Sequence, residues 1–252
     1  MIKVRNLRKS YGEKVVVNDV SLNIEKGKLI SFIGSNGAGK STVLSMVSRL
    51  ISKNSGEVFI DEREISQWNK GELSKKISIL RQSNYMNIRL TVRELVSFGR
   101  FPYSQGRLTK EDNIVIDRAL DYMNLRAFEK RYIDELSGGE RQMAFIAMTI
   151  AQDTEYIFLD EPLNNLDMKH SVEIMKTLRN LVDELNKTVI IVIHDINFAS
   201  CYSDYIVALK NGEIIKEGAT NEIINHKVLK DIYDLDINIE AVNGKQLCNY
   251  FA

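Results

Sequence analysis

The run Gly34-Ser-Asn-Gly-Ala-Gly-Lys-Ser41 has the spacing G-x-x-x-x-G-K-[ST] of a phosphate-cradling P-loop. Gly34, Gly37 and Gly39 let successive backbone N–H groups turn inward around phosphate oxygens, which side chains would obstruct. A helix starting near Lys40 aims its positive dipole end at the same anion. Lys40 is suited to reach the β- and γ-phosphates, and Ser41 offers a hydroxyl to Mg²⁺. Asn36, Ala38 and Thr42, within the run or directly after it, complete the candidate phosphate-binding set.

Two further segments carry matching chemistry. Tyr156-Ile-Phe-Leu-Asp160-Glu161 is an apolar run ending in two acids. Ligands of open α/β sheets lie beyond the carboxyl ends of the strands, so Asp160 is suited to hold Mg²⁺ through water beside the P-loop. Glu161, one residue on, can polarise a water in line with the γ-phosphate. Two acids before Pro162 also read as helix caps; beside a P-loop the metal-and-base reading is preferred. Leu136-Ser-Gly-Gly-Glu140 precedes a helical pattern, with Ser137 as its cap and Gly138 and Gly139 leaving bare N–H groups at its start. It reads as a second phosphate-binding device, serving a nucleotide held by another subunit, or as an ordinary capped helix.

These residues must be positioned by a framework that the apolar pattern outlines. Strands are predicted at Val4–Leu7, Val20–Ile24, Leu29–Ile33, Glu57–Ile60, Ile77–Leu80, Tyr156–Leu159 and Thr188–Ile193, and a helix over Ser41–Leu50. Residues from Thr91 to about Ala151 switch to helical spacing, with Ile114, Val115, Ile116, Ala119, Leu120 and Met123 on one stripe. Ile174, Leu178, Leu181, Val182 and Leu185 place another stripe on a helix that packs against a sheet. Asn211-Gly212 and Asn243-Gly244 each read as the type I′ turn of a hairpin. Strands alternating with helices imply an α/β fold, with the stretch from roughly 84 to 150 as an inserted helical lobe.

Composition excludes several classes. The chain has 252 residues, enough to bury a sizeable core without disulfides or structural metal. It carries 34 Lys plus Arg and 34 Asp plus Glu, a formal net charge of zero that disfavours nucleic acid as a partner. Cys201 and Cys248 lie far apart without metal-ligand spacing, which fits packing thiols in a reduced compartment. No signal peptide is visible, and apolar runs such as Val189–Ile193 fall far short of the ~18 residues of a membrane span. His170 and His226 have no ligand pattern and read as solvated or locally bonded.

The order of P-loop, Leu136-Ser-Gly-Gly-Glu140, Asp160-Glu161-Pro162 and His194 resembles the ATP-binding subunits of ABC transporters over nearly the whole chain. The resemblance implies an ATPase of α/β class: a P-loop NTPase core with a mainly parallel sheet, an N-terminal antiparallel β part and an inserted α-helical subdomain. On that pattern residues 1–83 and 151–225 form the RecA-like core, 84–150 the helical subdomain, and 226–252 a C-terminal helix and hairpin. It implies that Tyr11 stacks on adenine, that Gln82 touches Mg²⁺ and the attacking water, and that Leu166-Asp167 crosses a dimer interface. His194 matches the switch histidine at the γ-phosphate. Two chains would join head to tail, each ATP lying between one P-loop and the other copy's Ser137, Gly138 and Gly139.

Two departures stand out: Glu140 where the signature usually ends in Gln, and Leu163 where Thr usually follows Asp-Glu-Pro. Neither removes a catalytic group. Ser97-Phe-Gly-Arg-Phe-Pro-Tyr103 is similar to a stretch of ferric-siderophore, haem and cobalamin importer ATPases, and residues 160–170 resemble the catecholate-siderophore subset, such as petrobactin systems. The implied partners are integral membrane permease subunits and, indirectly, a substrate-binding protein, at the cytoplasmic face of the membrane. Residues 82–103 are expected to form part of the permease-docking groove. An exporter ATPase with a separate membrane subunit is the alternative; a soluble non-transport ABC ATPase is disfavoured by the single P-loop and the lack of heptads.

Overall fold

A computed structural model describes residues 1–82 and 88–251. In chain order the strands and helices are β1 (Ile2–Tyr11), β2 (Lys14–Ile24), β3 (Leu29–Ile33), α1 (Lys40–Val47), β4 (Ser55–Ile60), β5 (Arg63–Glu64), α2 (Lys70–Lys76) and β6 (Ile77–Leu80). Then follow α3 (Val92–Ser97), α4 (Phe101–Ser104), α5 (Lys110–Tyr122), α6 (Gly138–Ala151), β7 (Tyr156–Asp160), α7 (Met168–Leu185), β8 (Thr188–Val192) and α8 (Ile196–Tyr202). The chain ends with β9 (Tyr205–Lys210), β10 (Glu213–Ala219), α9 (Thr220–Ile223), α10 (His226–Tyr233), β11 (Asn238–Val242) and β12 (Lys245–Asn249). It divides into two compact units, Met1–Trp68 with Thr188–Ala252, and Asn69–Lys187.

In the first unit β1 pairs antiparallel with both β2 and β4, giving the order β2-β1-β4-β5. Alternate residues Ile2, Val4, Val58 and Ile60 are buried, while Arg5 and Glu57 face water. The second sheet of this unit runs β10-β9-β3-β8, with β3 parallel to both β8 and β9. Both faces of β3 and β8 are covered, so they read as nearly continuous apolar runs, interrupted in β3 only by the buried Ser31, rather than as alternating ones. The Asn-Gly hairpins form as predicted: Asn211 and Gly212 have φ of 52° and 83°, Asn243 and Gly244 of 49° and 75°.

The second unit carries the parallel pair β6–β7 and most of the helices. Its core gathers Leu95, Val96, Ile116, Leu120, Ala144, Ala147, Ile174 and Leu178. The Arg100 guanidinium, 7% exposed, donates to Asp112 Oδ1 at 2.8 Å and to the Ala151 carbonyl at 3.0 Å, tying α5 to the end of α6. Gly99 beside it passes so close to α6 that a Cβ there would lie 2.2 Å from the Met148 carbonyl oxygen. Phe98 and Phe101 turn outward, 46% and 58% exposed. The stretch 97–103 therefore divides into a glycine and an arginine that pack and two phenylalanines that do not.

The structure corrects local expectations. β1 and β2 run well beyond the predicted cores, because backbone pairing extends through charged, exposed positions with no apolar signal. The helical stretch after Thr91 is broken into α3 to α6 by turns, including left-handed Gln105 and Asn124. Ile114 (51% exposed) and Leu185 (43% exposed) leave their predicted stripes. Ile114 lies off the buried face of α5, and Leu185 is the last residue of α7, where Asn186 turns left-handed.

Candidate functional site

β3 delivers the chain into the glycine-rich loop and α1 carries it away, as the motif requires. Gly34 has φ +137°, and a Cβ on it would lie 2.0 Å from the Leu209 carbonyl oxygen; at Gly39, φ +96°, the corresponding contact is 2.8 Å to Val16 O. No other residue fits Gly34 without moving β9. Gly39 precedes α1 in the cap position and supplies no side-chain acceptor. The helix thus starts without a side-chain cap, as an anion-binding helix start does. The Lys40 ammonium, its residue 4% exposed, donates to the carbonyls of Gly34 at 2.8 Å and Ser35 at 3.0 Å, folding back over its own loop. Asn36 and Gly37 face solvent, Ala38 is buried, and Ser41 and Thr42 are half-buried in the first turn of α1.

In the same unit Tyr11 closes β1 with its ring 54% exposed and the Lys9 ammonium 5.1 Å from the ring centre. His194 lies two residues past the end of β8, exposed, and Asp195 caps α8 after it.

In the second unit, Asp160 ends β7, buried, and Glu161 follows at φ +51°. A left-handed glutamate costs about 1–2 kcal/mol and persists where its surroundings over-determine it. The surroundings here are two amides. Gln82 Nε2, 79 positions away, donates to Glu161 Oε2 at 2.5 Å, and Asn164 Nδ2 donates to the same oxygen. The structure thus brings Gln82 and Glu161 together, two residues that sequence reasoning assigned separately.

Ser137 caps α6: its hydroxyl accepts from the Glu140 amide, and Glu140 Oε2 accepts from the Ser137 amide at 2.8 Å. This reciprocal box accounts for Glu140, since a carboxylate closes it as an amide would. Those bonds hold the Glu140 carboxyl below its usual range, with Arg131 and His170 adding smaller effects. Ser137 and Gly138 face solvent at the start of this 14-residue helix. Gly139 packs on His170, whose imidazole bonds Asp167 Oδ2 at 2.8 Å. His170 is locally bonded as predicted, and His226 bonds Asp236 at 3.2 Å. What the sequence did not reveal is that His170 lies against the signature glycine; its place three residues after Asp167 was the available clue.

Both cysteines are free thiols; Cys248 is buried, and its pKa is pushed up to about 11, chiefly by burial. Cys201 is half-buried, and burial raises its pKa as well. Among the described residues no cluster of three His, Cys, Asp or Glu side chains could hold a metal. The oxygen donors of the separate candidate residues are each of the hard type that Mg²⁺ takes, beside waters and substrate phosphates.

Residues 17–164 match the ABC transporter family. Over all 252 residues the chain is 63% identical to the petrobactin import ATP-binding protein YclP of Bacillus subtilis (strain 168), covering 100% of both chains. It is 47% identical to the petrobactin import ATP-binding protein FatE of Bacillus anthracis, covering 95% of this chain and 96% of that one. Among solved structures, the dimeric post-hydrolysis state of the ATP-binding cassette MJ0796 bound to ADP and Pi is 34% identical, with a TM-score of 0.78 over 87% of this chain and 99% of that one. A glycine-rich loop opening a helix, a second capped helix start and an acid-ended strand are the features expected of a nucleotide-binding cassette, and the chain belongs to the ABC transporter family. It is an ATPase of that family, and it binds ATP. Among the described residues no helix is long and apolar enough to cross a membrane.

Proposed function

We propose that this chain is the ATP-hydrolysing motor subunit of an importer that takes up ferric siderophore through a separate membrane permease. The observation that carries the reading is its 63% end-to-end identity to a petrobactin import ATP-binding protein. The relatives reported above carry import in their names, which leaves the exporter alternative without support. The siderophore itself is proposed as catecholate-type.

In this reading Gly34, Asn36, Gly37, Ala38, Gly39, Lys40, Ser41 and Thr42 hold the ATP phosphates, and Tyr11 stacks on the base. Bound Mg²⁺, held by Ser41, Gln82 and Asp160, would neutralise charge developing on the phosphates. Glu161 polarises the attacking water and His194 contacts the γ-phosphate. Two copies pair head to tail on ATP, with Ser137, Gly138 and Gly139 of one closing on the nucleotide of the other. Residues 84–150 form the helical lobe that docks the permease at the cytoplasmic membrane face. The docking segment 82–103 includes residues 83–87, which lie outside the described residues. A substrate-binding protein delivers the ferric chelate to the permease, and the motor never touches it. ATP drives transport only through binding one arrangement of the pair better than another.

Purification of tagged Glu161→Gln chain from native membranes with ATP tests the reading. A many-helix permease together with a binding protein for a ferric chelate supports it. An exporter-type membrane subunit overturns the direction, and ribosomes or repair proteins overturn the transport role.

A further inference from the structure

The Glu161 carboxylate is gripped within its own turn as well as from β6. Asn164 lies three residues on, its backbone N–H donating to the Glu161 carbonyl at 3.3 Å while its side-chain amide donates to Glu161 Oε2. Main chain and side chain of one residue thus hold main chain and side chain of another. Gln82 reaches the same oxygen from just past the end of β6.

We propose that Asn164 is a positioning residue for ATP hydrolysis, its side-chain amide fixing the Glu161 carboxylate in the orientation from which it polarises the attacking water. The proposal rests on the assignment of Glu161 as the base. A glutamate has three rotatable side-chain bonds, and a base must lie within hydrogen-bond reach of the proton it takes. A misplacement of about 1 Å can cost about a hundredfold in rate. Gln82 grips the carboxylate from another segment of the chain, whereas Asn164 grips it from within the same turn. Asn164 has the geometry to hold on, since the turn that sets Glu161 at φ +51° also carries the donor. Asn164 directly follows Leu163, the residue at which the motif departs from its usual form.

Steady-state ATPase of the full-length chain separates this role from a structural one. Asn164→Ala should lower kcat about tenfold or more while KM for ATP stays within about twofold. Asn164→Ser, which keeps a donor, should recover part of the loss. Asn164→Asp, which sets acceptor against acceptor in the same shape, should fall at least as far as the alanine variant. In a Glu161→Gln background Asn164→Ala should add no further loss. Wild-type kcat in Asn164→Ala, or losses in the three variants that follow Tm rather than the presence of a donor, would overturn the proposal. If Glu161→Gln hydrolyses ATP at the wild-type rate, the base assignment falls and this proposal with it. If Glu161→Gln stalls while Asn164→Ala does not, only this proposal falls. Should the alanine variant fail to fold, the serine and aspartate variants decide the question.

Discussion

The imidazole of His170 occupies the space that a side chain on Gly139 would need: a Cβ there would lie 2.8 Å from its Cγ and Nδ1. The two residues come from different motifs, the start of α6 and the first turn of α7, and the Asp167 carboxylate holds the ring at Nδ1. The half-buried Gly139, second residue of α6, is thus buttressed by a histidine from α7.

Gly139→Ala must therefore push His170 off Asp167. ATP turnover should fall at least about tenfold, while ATP binding to the isolated chain stays near wild type, because the proposed contact of this helix is with a partner's nucleotide. His170→Ala in the same chain should restore part of the rate. Equilibrium nucleotide binding measured beside steady-state ATPase checks both.

Gly34→Ala should destabilise the first unit as well as abolish ATP binding. The clash is with the backbone oxygen of Leu209, which cannot rotate aside, and φ +137° is strained for alanine. A loss of about 2 kcal/mol or more is expected. Chemical denaturation of the nucleotide-free chain reads it directly; Lys40→Ala should lose ATP binding without such a clash.

Asp112 and Arg100 form a buried pair, so Arg100→Ala should cost about 3 kcal/mol by leaving the carboxylate uncompensated. The Thr109 backbone hydrogen bond, then burial acting the other way and the Arg100 bond, leave the Asp112 pKa below its ordinary value. A depressed carboxylate stabilises above its unfolded pKa and loses that contribution as pH falls through its folded pKa. The difference in Tm between wild type and Asp112→Asn should be full at pH 7 and shrink as pH drops below about 4.

Phe98→Ala and Phe101→Ala should leave Tm and basal ATPase close to wild type, since both rings face solvent. Loss of permease binding and of transport-coupled ATPase is the expected effect, measured by co-purification and uptake. Intact coupling in both variants would remove these rings from the docking surface.

Much of this was legible in the residues themselves. The glycine spacing at 34–39, the acids ending β7 and the serine capping α6 are local patterns, because each answers to a backbone constraint within a few residues. The Asn-Gly turns were equally readable, since few dipeptides tolerate two successive positive φ angles. The long β1–β2 ribbon and the exposure of Ile114 were not, because strand ends and stripe edges are decided by what packs opposite.

The sequence by itself therefore determined the glycine-rich loop between β3 and α1, the order of the motifs and the family, all encoded in short-range chemistry. Tertiary structure alone decided which side chains from distant segments share a hydrogen bond. It set Gln82 beside Glu161 across 79 residues, His170 behind Gly139 and Arg100 between Asp112 and Ala151. Each of those pairings depends on the register of β6 with β7 or the packing of α5, α6 and α7, which no local spacing specifies.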